Sequence, residues 1–97
     1  MRIVYAARAG RNLADIVDAL RSRNRHAALV VAATIRKRIA LLARHPTSGR
    51  AQDIDGVRTA VTVPFGYVIH HAVDEAAKVV TVLAILPPPR DRPAAGA

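Results

Sequence analysis

The sequence predicts an α+β fold in the order β-α-α-β-β-β, an antiparallel sheet packed on an N-terminal helical hairpin. Three observations point there. Residues 57–63, 67–73 and 79–86 are rich in Val, Ile and Thr and are separated by short connectors, Pro64-Phe65-Gly66 and Asp74-Glu75-Ala76-Ala77-Lys78, of hairpin length. Residues 7–44 carry apolar side chains at helical spacing with one short break. Pro87-Pro88-Pro89 closes the last strand, because none of the three offers a ladder N–H. A chain of 97 residues makes one domain with one modest core, expected over residues 1–92, with a disordered tail at 93–97.

The elements follow in order. Arg2 to Tyr5 is a short strand, apolar at Ile3 and Val4. From Ala7 to about Arg23, Leu13, Ile16, Val17 and Leu20 recur at i, i+3, i+4 and i+7 and make one face of a helix. Asn24 ends that pattern and can cap the next helix. A second helix is expected from about His26 to Arg44, with Ala28, Val31, Ala32, Ile35, Ile39 and Leu42 in its stripe and Arg36, Lys37 and Arg38 turned away. The short connection makes the two helices antiparallel neighbours. Residues 45–56 (HPTSGRAQDIDG) read as a loop. The final strand is apolar on both faces, with Val79, Thr81, Leu83 and Ile85 alternating with Val80, Val82, Ala84 and Leu86. Such a strand calls for cover on both sides, and a helical hairpin covers one. The other face is expected to await a partner.

Charge sharpens that expectation. The net charge is +8, and residues 1–44 hold all of the excess, with ten basic residues against Asp15 and Asp18. A field of this kind favours an acidic partner, protein or nucleic acid. The chain has no cysteine, so it forms no disulfide and no thiolate metal site. It has no apolar run long enough to span a bilayer, and Met1 to Tyr5 lacks the apolar pattern of a secretory signal, so the chain is expected in the cytoplasm, away from membranes.

Catalytic and cofactor patterns are missing: there is no phosphate-binding loop, no dinucleotide fingerprint and no H-E-x-x-H. The adjacent His70 and His71 point to opposite faces of a strand and cannot hold one ion, so neither a metal nor a cofactor is expected. Arg50, Arg58 and Arg90 can converge at one sheet edge, where guanidinium forks suit carboxylate or phosphate. RNA cleavage by the 2′-hydroxyl needs a general acid and base beside cationic groups. Tyr67, His70 and His71 are the candidates, with no lysine closer than Lys78 across a turn. Tyr5, Phe65 and Tyr67 are too few for a base-stacking platform. These residues favour a binder over an enzyme and leave direct nucleic-acid contact open.

The same order of elements, with local matches along roughly residues 1–92, resembles the ParE branch of the RelE/ParE toxin superfamily. The matches are Ala7-Arg8-Ala9, Asn12-Leu13-Ala14-Asp15-Ile16, Ile39 to Pro46, Gly49-Arg50, Gly56-Val57-Arg58, Pro64 to Ile69, Val79 to Leu86 and Arg90-Asp91. The chain departs from the pattern after its last strand, where Pro87-Pro88-Pro89-Arg90 stands in place of a His-Gly-x-Arg segment. The resemblance implies a plasmid-stabilising toxin that blocks DNA gyrase and is neutralised by a ParD-like antitoxin wrapped around it. The alternatives are a RelE-type ribosome-dependent mRNA endonuclease and a non-toxic interaction module of the same fold. Arg50, Arg58, Tyr67, His70, Arg90 and Arg92 are the candidates for contact with the target. Leu13, Ile16, Val17, Leu20, Val31, Ile35, Val80, Val82 and Leu86 are the candidates for contact with the antitoxin.

Overall fold

A computed structural model describes residues 1–89. Along them run β1 (Arg2–Tyr5), α1 (Ala7–Arg21), α2 (Arg25–Leu41), β2 (Arg50–Ala51), β3 (Val57–Val61), β4 (Val68–Asp74) and β5 (Val79–Leu86). The two helices and the three long C-terminal strands fall where the hydrophobic spacing put them. Asn24 caps α2 as expected, its Oδ1 accepting from the Ala27 N–H at 3.0 Å. The last turn of α2 tightens after Leu41, with the Leu42, Ala43 and Arg44 N–H groups each bonding three residues back. That is why the regular helix stops short of Arg44.

The sheet order is β1-β5-β4-β3-β2. Strands β2 to β5 pair antiparallel, whereas β1 lies parallel to β5, Arg2 opposite Val79 and Tyr5 opposite Val82. Two details thus go beyond the antiparallel expectation. A parallel pair needs a long crossover, and here nearly the whole domain lies between the two strands. The short β2 lies inside the stretch read as loop, and Gly49 brings it against β3. At φ +91° Gly49 sits on the Thr59 carbonyl group, so a Cβ there would be 2.9 Å from the Thr59 carbonyl carbon.

Between His70 and His71 of β4 the pairing with β5 slips by one residue, leaving Leu83 as a bulge. Ile69 faces Ile85 and His71 faces Val82. Ile69 and His71 share a face, so Ile85 joins Val82 on it. Strict alternation therefore fails for this strand: Ile85 leaves the face of Thr81 and Leu83 and enters the core. Ile69, Val82 and Ile85 pack with Ile35 and Ile39 in the interior, and Val80 and Leu42 are as fully buried. Helix α1 lies on β5 and against α2, adding Ala9 and Leu13. Burial of this apolar surface is the main source of stability.

Two polar side chains complete the frame. β1 stops opposite Val82, so Ile85 lies beyond its end, and the Ile85 N–H is taken instead by Asn12 Oδ1 on α1 at 3.1 Å. Thr62 is buried at the β3–β4 turn, where its Oγ1 accepts from the Tyr67 N–H at 2.9 Å. Pro88 is buried beside Gly66, so the proline run folds back over that turn. No helix among the described residues is long and apolar enough to cross a membrane.

Candidate functional site

The helices bury one sheet face, and the opposite face is only partly closed. Val57, Val61, Val68, Ala84 and Leu86 lie on it beside Thr59, His70 and Thr81, with Val61 47% exposed. It is largely apolar, broken by Thr59, His70 and Thr81. Val80 and Val82, two of the candidates for contact with an antitoxin, lie on the helix side with no exposed surface. The bulge and the parallel docking of β1 decide which face of β5 the helices take.

The other candidates for contact with an antitoxin separate by burial. Leu13, Val31 and Ile35 belong to the core cluster and are held by the chain's own interior. Periodicity marks the apolar stripe of a helix without saying which of its members a neighbouring element has already covered. Ile16, Val17, Leu20 and Leu86 are half-buried and reach the surface. Val17 lines a groove between the helices together with Ala28, Leu29 and Ala32, and Arg21, Arg25 and Arg36 rim it. Leu29, outside the main stripe of α2, is 71% exposed in this groove. Ile16 and Leu20 line a second depression with Ala19, Arg23, Tyr67 and Pro87. An amphipathic segment finds apolar floors here with a cationic rim.

Those cations keep their charge unpaired. Among the described residues the only ion pair joins Glu75 and Lys78, 3.9 Å apart at the β4–β5 turn. Asp15 and Asp18 neutralise no helix arginine directly, so the positive field predicted for residues 1–44 stands on the surface.

The candidates for contact with the target do not gather at one point. Arg50 and His70 line one groove, with Arg38, Gly49, Gln52, Thr59 and Val61. Arg58 lies apart from them. It pairs with buried His71 in the register, beneath the residue 45–50 segment, and an Nη of Arg58 donates to the Gly49 carbonyl at 2.9 Å. The Arg58 Nε is buried without a partner. His71 Nε2 lies 3.2 Å from the Pro46 carbonyl, so the two side chains fasten this segment to the sheet. Arg58 thus helps fasten this segment, while its partly exposed side chain also lines a depression with Ile54, Asp55 and Glu75. Tyr67 is mostly buried in the core and shows its edge only at the depression beside Ile16 and Leu20. Arg90 and Arg92 lie outside the described residues.

Burial lowers the His71 pKa below the usual imidazole value, and the nearby Arg38 and Arg58 charges push the same way, against the Pro46 and Ile69 carbonyls. His71 is therefore neutral in the fold and suited to donating one hydrogen bond. On β1, burial raises the Tyr5 pKa and the Arg36 charge partly opposes it. Among the described residues no three His, Asp or Glu side chains are grouped to hold a metal ion. Sequence reasoning missed the roles of Asn12, Thr62 and Arg38. The first two act on backbone groups that the fold alone brings to them, and Arg38 counts only because of the groove it lines.

A helical hairpin laid on a mixed five-stranded sheet is a fold this chain shares with solved structures of bacterial toxin–antitoxin systems. It is similar to the chromosomal ParDE toxin–antitoxin system from P. aeruginosa, with a TM-score of 0.77 at 21% identity over 91% of this chain and 96% of that one. It is also similar to the intact E. coli RelBE toxin–antitoxin complex, with a TM-score of 0.66 at 14% identity over 89% of this chain and 94% of that one. No curated protein matches the chain in sequence. The model of the ParE toxin of the type II toxin–antitoxin system parDE matches residues 3–91, and the chain belongs to that family.

Proposed function

We propose that this ParE toxin inhibits DNA gyrase and is held inactive by a ParD-like antitoxin whose acidic, amphipathic segment lies along the outer face of the helical hairpin. The family match over residues 3–91 carries the reading. The grooves support the second half of it. Leu29 and Val17 offer apolar anchorage, and Arg21, Arg25 and Arg36 supply charge complementarity around it. Apolar burial would supply the affinity and the arginines the encounter rate. The antitoxin segment is the product of the neighbouring upstream reading frame.

Regulated expression of the chain alone should arrest growth, and co-expression of the upstream frame should restore it. The Leu29→Glu variant places a like-signed carboxylate against an acidic partner at an exposed position. It should remain toxic and lose most of the rescue. Normal growth on expression of the folded chain would reject the toxin reading. Full rescue of Leu29→Glu would move the antitoxin off this groove. Loss of gyrase supercoiling tests the target, and cleavage of ribosome-bound mRNA with supercoiling intact would reassign it.

A further inference from the structure

The groove at the β2–β3 edge faces away from the α1–α2 surface and has a different chemistry. Arg38 reaches it from α2, Arg50 from β2, and Thr59 and His70 from adjacent positions on β3 and β4. Thr59 Oγ1 and His70 Nδ1 are 2.8 Å apart, so one ring nitrogen is engaged and Nε2 is left as the free imidazole edge. Arg38 is steadied by a bond from its Nη to Ser48 Oγ at 3.2 Å. Gly49, which no other residue can replace without striking β3, sets the backbone that carries Arg50 into the groove.

Among the described residues no acidic side chain lines this groove, and Asp55 and Glu75 border a separate depression beside Ile54. Two guanidinium forks, an imidazole and a hydroxyl approaching from different elements match the several oxygens of a phosphate group better than the two of a carboxylate. Val61 is the only large apolar side chain in the lining, so an acidic amphipathic peptide would find little to anchor it. No aromatic ring lines the groove either, which removes base stacking.

We infer that the Arg38–Arg50–His70 groove binds the phosphodiester backbone of a nucleic acid, independently of base sequence. The groove shares no residue with the antitoxin surface, and because Arg50 and His70 are also candidates for contact with the target, its test is run with no gyrase present. The backbone phosphate bridges the two arginines, and His70, oriented by Thr59, presents its Nε2 edge beside them.

The test is fluorescence anisotropy of a short labelled oligonucleotide of mixed sequence, as single-stranded DNA, RNA and duplex DNA, titrated with the full-length chain across a salt series. Affinity should fall with salt, and the slope of log K against log salt for the single strands should become shallower by roughly 0.7 for each phosphate contact removed. Arg50→Ala should show that change, and Arg50→Lys should keep most of the slope because it keeps the charge. Arg8→Ala and Arg11→Ala, on the exposed surface of α1, should bind as the parent does. Arg50 is exposed, so its variants should fold, and unchanged far-ultraviolet circular dichroism confirms that they do. The inference is overturned if Arg50→Ala keeps the parental slope, if the α1 variants lose as much, or if polyglutamate displaces the oligonucleotide as effectively as unlabelled oligonucleotide does.

Discussion

Asn12 offers a sharp test of how α1 is joined to the sheet. Its Oδ1 is the acceptor for the Ile85 N–H, 3.1 Å away and 73 residues further along the chain. Ile85 is buried, so the Asn12→Ala variant leaves that N–H unsatisfied and out of reach of bulk water. An unpaired buried backbone donor costs about 1–3 kcal/mol. Alanine is the better helix former, which returns up to about 0.7 kcal/mol. The net loss is therefore ~0.5–2.5 kcal/mol, and the middle of that range lowers Tm by roughly 6–12 °C in a domain of this size. Thermal unfolding followed by circular dichroism reads it directly. Asn12→Asp keeps an acceptor oxygen and should lose much less. An Asn12→Ala protein that melts with or above the parent would refute the account of this bond.

Two further perturbations follow from the segment beneath Arg58. Gly49→Ala combines a positive φ with a Cβ against the Thr59 carbonyl, so it should destabilise the fold by more than about 1 kcal/mol in chemical denaturation, and a parental midpoint would contradict the close approach. His71 is neutral in the fold, whereas in the unfolded chain it takes up a proton near pH 6.5. Its depressed pKa means that the unfolded state binds more protons, so the His71 contribution is complete above about pH 6.5 and is lost as pH falls through the lower folded value. Tm should thus fall on acidification more steeply in the parent than in His71→Gln, and parallel curves would show that His71 does not carry the effect.

Much of the fold was legible because it is local. Leu13, Ile16, Val17 and Leu20 mark a helix through their spacing, Asn24 marks its successor's start, and the Val-rich runs mark the strands. What was not legible depends on pairing across the chain. The bulge at Leu83 turns Ile85 inward, and no alternation rule shows a bulge before the register is known. Arg58 looked like a surface arginine until pairing with His71 set it beneath Pro46 and Gly49. The site was legible in part for the same reason. Arg50 and His70 do share a groove, but Arg38 joins them from a helix that the sequence read as facing elsewhere. The positive half of the chain was readable as charge, and its meaning came from the absence of ion pairs on the described helix surface.

The proposal that this ParE toxin stops gyrase and that the antitoxin releases it is tested most directly by the supercoiling of relaxed plasmid by purified gyrase, with the chain added first alone and then with the upstream partner. Supercoiling should be lost with the chain and return when the partner is supplied. Undiminished supercoiling by gyrase saturated with the folded chain would contradict it.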